Sequence, residues 1–261
     1  MRPDNWGDRA RFGVFIVDAE AVPEAEWWAM APPGVSIHVA RITAKAPWAA
    51  WNADRSAVTL SEDLERGARQ FARLAPDVVV VGHSSSSVLG GDGWDEAVAR
   101  RLQQVIGGET QVTTNGQDCA AAMAALGAAR PFVIIPPWFG DSFIESARRY
   151  LIGQGLTPAA MFRHIPEDRW RDVPPAELYS RYMHLAQNAG LLRDQVVSRC
   201  PDEADSILLL GTGLRCVGVI DDMEATTGRP IVTANQASRW RCLRLAGVDG
   251  SAPGYGRLFT L

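Results

Sequence analysis

An uninterrupted apolar run that ends in a cluster of hydroxyls constrains the fold of this chain more than any other feature. Four valines at 78–81 are followed by Gly82 and then by residues 83–87, a histidine and four serines. A continuous β-branched run is typical of a strand buried on both faces of a parallel sheet. Such sheets bind ligands beyond the carboxyl ends of their strands. The sequence therefore predicts a ligand site directly after this strand.

A second strand-and-loop unit of the same kind follows later in the chain. Residues 207–210 are one isoleucine and three leucines, and they run into Gly211, Thr212 and Gly213. A glycine-rich loop of this kind brings backbone N–H groups close to an acidic ligand. Two such loops predict two half-sites that face one shared cleft.

The pattern of predicted strands repeats about 120 residues along the chain. Segments 11–17, 77–82 and 112–117 have counterparts in the same order at 130–137, 206–210 and 231–237. We therefore expect an α/β fold of two pseudo-symmetric halves, each a parallel sheet flanked by helices, with the active site in the cleft between them. The first half is predicted to comprise 1–115 plus 230–261, and the second half 116–229.

The remaining pattern completes the alternation of strands and helices. Thr59 and Glu62 form a predicted capping box that opens a helix to about residue 74, and Asp92 is the predicted N-cap of another helix. Residues 83–87 are predicted to form a polar loop. The other predicted elements are strands at 35–41 and 111–114 and helices at 94–106 and 117–126.

Charge and composition exclude several classes of function. The net charge of −4 leaves no basic footprint for nucleic acid. No apolar stretch approaches the roughly 18 residues that span a bilayer, and the polar N-terminus lacks a secretory segment. The cysteines are widely spaced, which fits neither a metal site nor a disulfide framework. We therefore expect a cytoplasmic protein with reduced thiols and no metal. Those cysteines are Cys119, Cys200, Cys216 and Cys242.

The two loops suggest proton transfer beside an anion cradle. His83 follows the first strand directly, and an imidazole suits proton transfer near neutral pH. The hydroxyls of Ser84, Ser85 and Ser86 are suited to a carboxylate or a developing enediolate. An alternative is a hydrolase or hydratase that uses Ser84 with His83, although the nucleophile-elbow pattern lacks its final glycine.

The glycines after the second strand do not fit a dinucleotide site. Gly218 arrives one position late for the dinucleotide fingerprint, and the next strand runs into Asn235 without an acidic residue for a ribose. We expect no nicotinamide cofactor.

Together these motifs resemble the aspartate/glutamate racemase superfamily, in particular its arylmalonate decarboxylase and maleate isomerase branch. The stretch at 230–247 (PIVTANQASRWRCLRLAG) is the most specific of the matched segments. The resemblance implies two pseudo-symmetric halves, no cofactor and a small carboxylate substrate. The other matched segments are 11–23, 78–91, 113–127, 133–138 and 208–224.

The chain departs from that family at the reacting carbon. The two cysteines that flank this carbon in the family fall on His83 and Gly211 here, and a carboxylate-binding tyrosine falls on Trp138. Covalent cis–trans isomerisation requires a thiolate, whereas loss of CO₂ followed by protonation requires only one acid. We assign that acid to His83, with Asp18 and Glu20 as reserve candidates.

The sequence thus predicts a cofactor-independent lyase or isomerase that acts at the α-carbon of a small carboxylic acid through an enediolate. The tryptophan-rich composition favours an aryl substituent on that acid. A carboxylate-binding relative without activity is the non-enzyme alternative, and a homodimer is the default for such a fold. Catalysis is assigned to His83 and Ser84; the substrate-binding candidates are Ser85, Ser86, Trp138, Gly211, Thr212, Gly213 and Asn235.

Overall fold

A computed structural model describes residues 4–250 and 252–261; the first three residues of the polar N-terminus lie outside it. Its strands are β1 Ala10–Val17, β2 Val35–Ile42, β3 Ala49–Trp51, β4 Val58–Leu60, β5 Val78–Val81, β6 Gln111–Thr114, β7 Pro131–Ile135, β8 Ala160–Arg163, β9 Ser206–Leu209 and β10 Ile231–Thr233. Its α-helices are α1 Val22–Ala29, α2 Glu62–Leu74, α3 Ser84–Gly90, α4 Trp94–Ile106, α5 Asn115–Ala125, α6 Asp141–Gly153, α7 Pro175–Leu178, α8 Ala189–Arg199, α9 Ile220–Thr227 and α10 Ala234–Leu245.

Two parallel sheets with the same internal order confirm the predicted duplication. The first sheet has the order β2-β1-β5-β6 and the second has the order β8-β7-β9-β10. Each strand of the first sheet thus has a counterpart at the same place in the second. The predicted α/β fold of two halves is confirmed. A small antiparallel hairpin, β3–β4, is added to the first half.

The valine run of β5 is buried on both faces, as its sequence predicts. Val78 and Val80 pack into a large core shared by both halves, whereas Val79 and Val81 pack into a second core with Phe15 on the opposite face of the sheet. All four valines are fully buried. Each buried valine stabilises the fold by about 1.5–3 kcal/mol relative to an exposed one. An alternating apolar and polar strand could not fill both layers.

The structure corrects three local predictions. Thr59 lies in β4, and the predicted helix begins at Glu62 after Ser61. The N-cap of α4 is Gly93, not Asp92. Residues 84–87 form the first turn of α3 rather than a loop. Serine favours turns when its hydroxyl bonds the local backbone, but here Ser84, Ser86 and Ser87 bond to groups on other elements.

The helices α5 and α10 pack against each other between the two halves. The helix α5 contacts both β6 and β10, and α10 contacts both β10 and β5, so each helix touches both sheets. The predicted division placed residues from 230 onward in the first half. However, β10 pairs with β9 in the second sheet, so the chain crosses back only after Thr233. Among the described residues, no helix is long and apolar enough to span a membrane.

Candidate active site

The carboxyl ends of the strands in both halves open onto one cavity of about 330 Å³. The residues after β5 form one wall, and the glycine loop after β9 forms another. The cavity is lined by Val17, Glu20, Ala44, Lys45, Ala46, His83, Ser84, Ser85, Leu89, Pro136, Trp138, Phe139, Tyr179, Gly211, Thr212 and Gly213. The two predicted half-sites therefore meet in one cleft.

His83 is held in one orientation by its neighbours. Its Nδ1 lies 2.9 Å from Ser86 Oγ, and its ring stacks on Trp48 with 4.2 Å between centroids. Ser86 Oγ accepts the backbone N–H of Trp48 at 3.0 Å. Its own proton is therefore available for Nδ1, which assigns the tautomer with hydrogen on Nε2. Burial lowers the pKa of His83 to about 3, so the ring is neutral at physiological pH.

Replacing Ser86 with alanine is expected to release this tautomer and to destabilise the fold by about 1–3 kcal/mol, because the Trp48 N–H loses its partner. Histidine ¹⁵N NMR reports the tautomer, and urea unfolding reports the stability. Ser87→Ala is the matched control for the spectrum, since Ser87 Oγ donates to Asp95 Oδ1 at 2.7 Å, away from His83. An unchanged His83 spectrum in the Ser86→Ala variant would contradict the assignment.

The four serines after His83 do not share one role. Ser84 and Ser85 line the cavity, whereas Ser86 and Ser87 do not. Ser86, predicted to bind substrate, therefore lies behind His83 and not at the cavity surface. Successive helical residues point about 100° apart, so one helical turn cannot present four consecutive hydroxyls to one cavity.

Ser84 lacks the contacts of an activated nucleophile. Its hydroxyl donates to Asn115 Oδ1 at 2.6 Å, while the Nδ1 of His83 is engaged with Ser86. A nucleophile and its base need a direct hydrogen bond. The geometry thus does not favour the hydrolase alternative.

The glycine loop after β9 is closely packed, and its backbone conformation favours glycine at Gly211. Gly211 has φ +151°, and a Cβ there would lie 2.5 Å from Cγ of Pro136. A Cβ on Gly213 would lie 2.5 Å from Oε1 of Glu20. The loop is held from behind by Asn235, whose Nδ2 donates to the Thr212 carbonyl at 2.9 Å. Asn235, predicted to bind substrate, is buried outside the cavity lining and supports the loop.

The apolar side of the cavity follows β7. Pro136, Trp138 and Phe139 line it, together with Leu89 from α3. The ring of Trp138 meets Tyr179 edge-on at 6.0 Å between centroids. Tyr179 was missed because it lies in an irregular segment with no strand or motif beside it. Lys45 lies three residues beyond the end of β2. It could have been predicted, because parallel sheets bind ligands beyond the carboxyl ends of their strands.

The two reserve candidates for the acid, Asp18 and Glu20, lie in different environments. Asp18 is exposed, whereas Glu20 is 5% exposed and lines the cavity. Burial raises the pKa of Glu20 to about 7, against the opposing effect of the Tyr179 hydroxyl. The carboxyl group of Glu20 can therefore hold a proton near neutral pH.

Thiols and metal ligands are not gathered at this cavity. Within the described part of the chain, none of the four cysteines lines it, and burial raises the pKa of both Cys119 and Cys216. No group of three metal-binding side chains occurs among residues 4–250 and 252–261.

Two pseudo-symmetric parallel-sheet halves around one strand-end cavity define the class of protein. The sequence profile of the arylmalonate decarboxylase family matches residues 54–259. The chain belongs to this family, which confirms the predicted relationship. It is 28% identical over 196 residues to arylmalonate decarboxylase from Bordetella bronchiseptica, covering 74% of this chain and 75% of that protein.

Solved structures share the whole fold. Maleate isomerase Iso from Pseudomonas putida S16 superposes with a TM-score of 0.79 at 20% identity, covering 96% of this chain and 98% of that one. The Nocardia farcinica maleate cis-trans isomerase, bound to TRIS, superposes with a TM-score of 0.77 at 17% identity, covering 96% and 97%. At these sequence identities, the structural similarity shows that the chains share a fold.

Proposed function

We propose that this protein decarboxylates a small α-substituted malonate, without a cofactor, through an enediolate intermediate. The observation that carries this proposal is one cavity with hydrogen-bond donors on two walls and apolar side chains on a third. A cavity of about 330 Å³ fits a small acid. The relative from Bordetella bronchiseptica, named arylmalonate decarboxylase, supports the same reaction class.

The donors are arranged to hold the carboxylate that remains after CO₂ leaves. Nε2–H of His83 and the hydroxyl of Ser85 lie on one wall. The backbone N–H groups of Thr212 and Gly213 lie on the other, and neither has a partner within the described part of the chain. Donors aimed at developing charge each stabilise the transition state by on the order of 3 kcal/mol.

The apolar wall favours loss of the second carboxylate. A carboxylate placed against Leu89, Pro136 and Phe139 is poorly solvated, whereas the CO₂ that it forms is neutral. The exposed side chain of Lys45 at the cavity lining attracts the substrate dianion during association. The aromatic ring of Trp138 suits an aryl substituent on the α-carbon.

His83 acts in this proposal as a neutral donor. Its pKa of about 3 leaves too little imidazolium at neutral pH for the acid role that the sequence assigned to it. A neutral imidazole can still polarise an oxyanion. Covalent isomerisation is less favoured, because it needs a thiolate and no described cysteine lines the cavity.

The proposal is tested with a panel of α-aryl and α-alkyl malonates. We expect CO₂ release and a monocarboxylic acid from the α-aryl members, measured by the pH change in weak buffer and by NMR of the product. If no malonate loses CO₂ but several raise the melting temperature, the protein is a carboxylate-binding relative and the proposed reaction is wrong.

A further inference from the structure

Decarboxylation needs a proton donor for the α-carbon, and the buried carboxyl group of Glu20 is well placed for that step. Among its lining residues, Glu20 is the one carboxyl group and no cysteine is present. Gly211 has no side chain, and His83 is held neutral. A role for such a donor rests on the proposed decarboxylation.

The backbone fixes Glu20 at the end of β1. Its N–H donates to the carbonyl of Val17 at 3.1 Å, and its own carbonyl accepts from Nη1 of Arg41 at 3.0 Å. The same guanidinium nitrogen donates to the carbonyl of Asp18 at 2.8 Å. The turn is therefore tied to β2, and it directs the side chain of Glu20 inward while Asp18 stays exposed.

The carboxyl group itself is left free to exchange a proton. Oε2 of Glu20 and the hydroxyl of Tyr179 are both buried, and neither atom makes a well-formed hydrogen bond among the described residues. The hydroxyl nevertheless lies close enough to Glu20 to lower the pKa of its carboxyl group. Oε1 occupies the space in front of Gly213. A buried polar atom without a partner is unusual and calls for an explanation. A substrate in the cavity would provide the missing partner.

We infer that Glu20 delivers the proton to the α-carbon from the side of the glycine loop, and that Tyr179 tunes this acid. The bond between the α-carbon and the departing carboxylate breaks, and its electron pair forms the enediolate as CO₂ leaves. That pair then takes the proton of the Glu20 carboxylic acid to form the new C–H bond. Glu20 is left as a carboxylate, which water reprotonates.

A single acid on one side of the cavity protonates one face of the enediolate and gives a single enantiomer of the product. His83 lies on the opposite wall and is neutral, so it supplies no competing proton. A prochiral α-aryl-α-methylmalonate is therefore expected to yield one enantiomer of the acid, with deuterium at the α-carbon when the reaction runs in D₂O.

Several titratable groups surround Glu20 and bear on the expected pH dependence. Tyr179 faces it from the end of α7, Lys45 lines the cavity after β2, and His83 faces it from the other wall; His184 stacks on Tyr179. The carboxyl group of Glu20, with a pKa of about 7, keeps its proton at lower pH and loses it at higher pH. The rate is thus expected to fall as pH rises through 7. Tyr179→Phe should move this fall to higher pH, because the hydroxyl favours the carboxylate.

The decisive comparison is Glu20→Gln against wild type, with Asp18→Asn as the matched control in the same turn. We expect Glu20→Gln to lower kcat at least tenfold and to give a racemic product, whereas Asp18→Asn retains both rate and enantiomer. Gly213→Ala is a second variant, since its Cβ would displace the end of Glu20; Gly218→Ala, with open space around its Cβ, is its control. Unchanged kcat, enantiomer and pH profile in Glu20→Gln would overturn the inference.

Exchange of the α-proton of a 2-arylpropionate in D₂O separates the two proposals. Exchange that depends on Glu20, without CO₂ release from any malonate, overturns the decarboxylation and supports the proton transfer. CO₂ release that does not depend on Glu20 overturns the proton transfer alone. Absence of both reactions overturns both proposals.

Discussion

Replacing His83 with alanine is expected to lower kcat for decarboxylation by about 100-fold or more, because the enediolate loses an oriented N–H donor. The effect on KM is expected to be smaller, since charge on the retained carboxylate group increases only as CO₂ leaves. Steady-state CO₂ release measures both constants. The fold should persist, because His83 is only half-buried and belongs to neither apolar core, although its ring stacks on the buried Trp48.

A second substitution distinguishes a neutral donor from an acid. Glutamine can present an N–H near the position of Nε2, so His83→Gln should recover a measurable part of the loss in His83→Ala. An acid role would allow no such recovery. His38→Ala is the control, because His38 bonds Ser36 in β2 and does not line the cavity. Equal rates in the glutamine and alanine variants would contradict the donor role.

The topology of the fold could be predicted because its signals are local and repeated. Buried strands such as β5 and β9 read as continuous apolar runs, and the strand-end rule places their loops at one edge. The same rule correctly brings His83 and Gly211 to one cavity. Trp138 lines that cavity as well.

The residues behind that surface could not be predicted from spacing. Ser86 and Ser85 are neighbours of the same type in sequence, yet a helical turn sends one towards the cavity and the other towards Trp48. Asn235 begins a helix that crosses between halves, and only the packing shows that it faces the loop from behind. Tyr179 enters the site from an irregular segment, which carries no periodic signal.

The balance between Glu20 and Asp18 also depends on packing. Both acids follow β1 in a short acidic turn, and the sequence gives them equal access to the strand end. The bonds from Arg41 to the carbonyls of this turn orient it, so one side chain enters the cavity and the other meets solvent. The pKa of Glu20 follows from that burial, and no pattern in the sequence reports it.

Replacing Glu26 with alanine is expected to lower the free energy of unfolding by about 3–5 kcal/mol, the largest loss we expect from one polar substitution, because each buried donor that loses its acceptor costs about 1–3 kcal/mol. Glu26 is 4% exposed. Its Oε1 accepts the N–H groups of Cys216 and Val217 at 2.7 and 3.0 Å, and its Oε2 accepts Nδ2 of Asn235 at 2.7 Å. Alanine would remove the acceptor of these three buried N–H donors. Urea unfolding gives the change directly.

The position of Glu26 makes this loss more than a local one. The carboxylate belongs to α1, which follows the first strand of the first half, while its partners lie after β9 and at the start of α10. It therefore joins the two halves directly behind the glycine loop.

Glu24→Ala on the same helix is the matched control. The ion pair of Glu24 with Arg41 is 2.6 Å long, and both side chains are more than a third exposed, so the pair contributes at most about 1 kcal/mol. Glu26→Gln keeps the shape but turns one acceptor into a donor that faces another donor, so it should lose about 1–3 kcal/mol. Equal stability of the Glu24 and Glu26 alanine variants would contradict the role of this carboxylate in joining the halves.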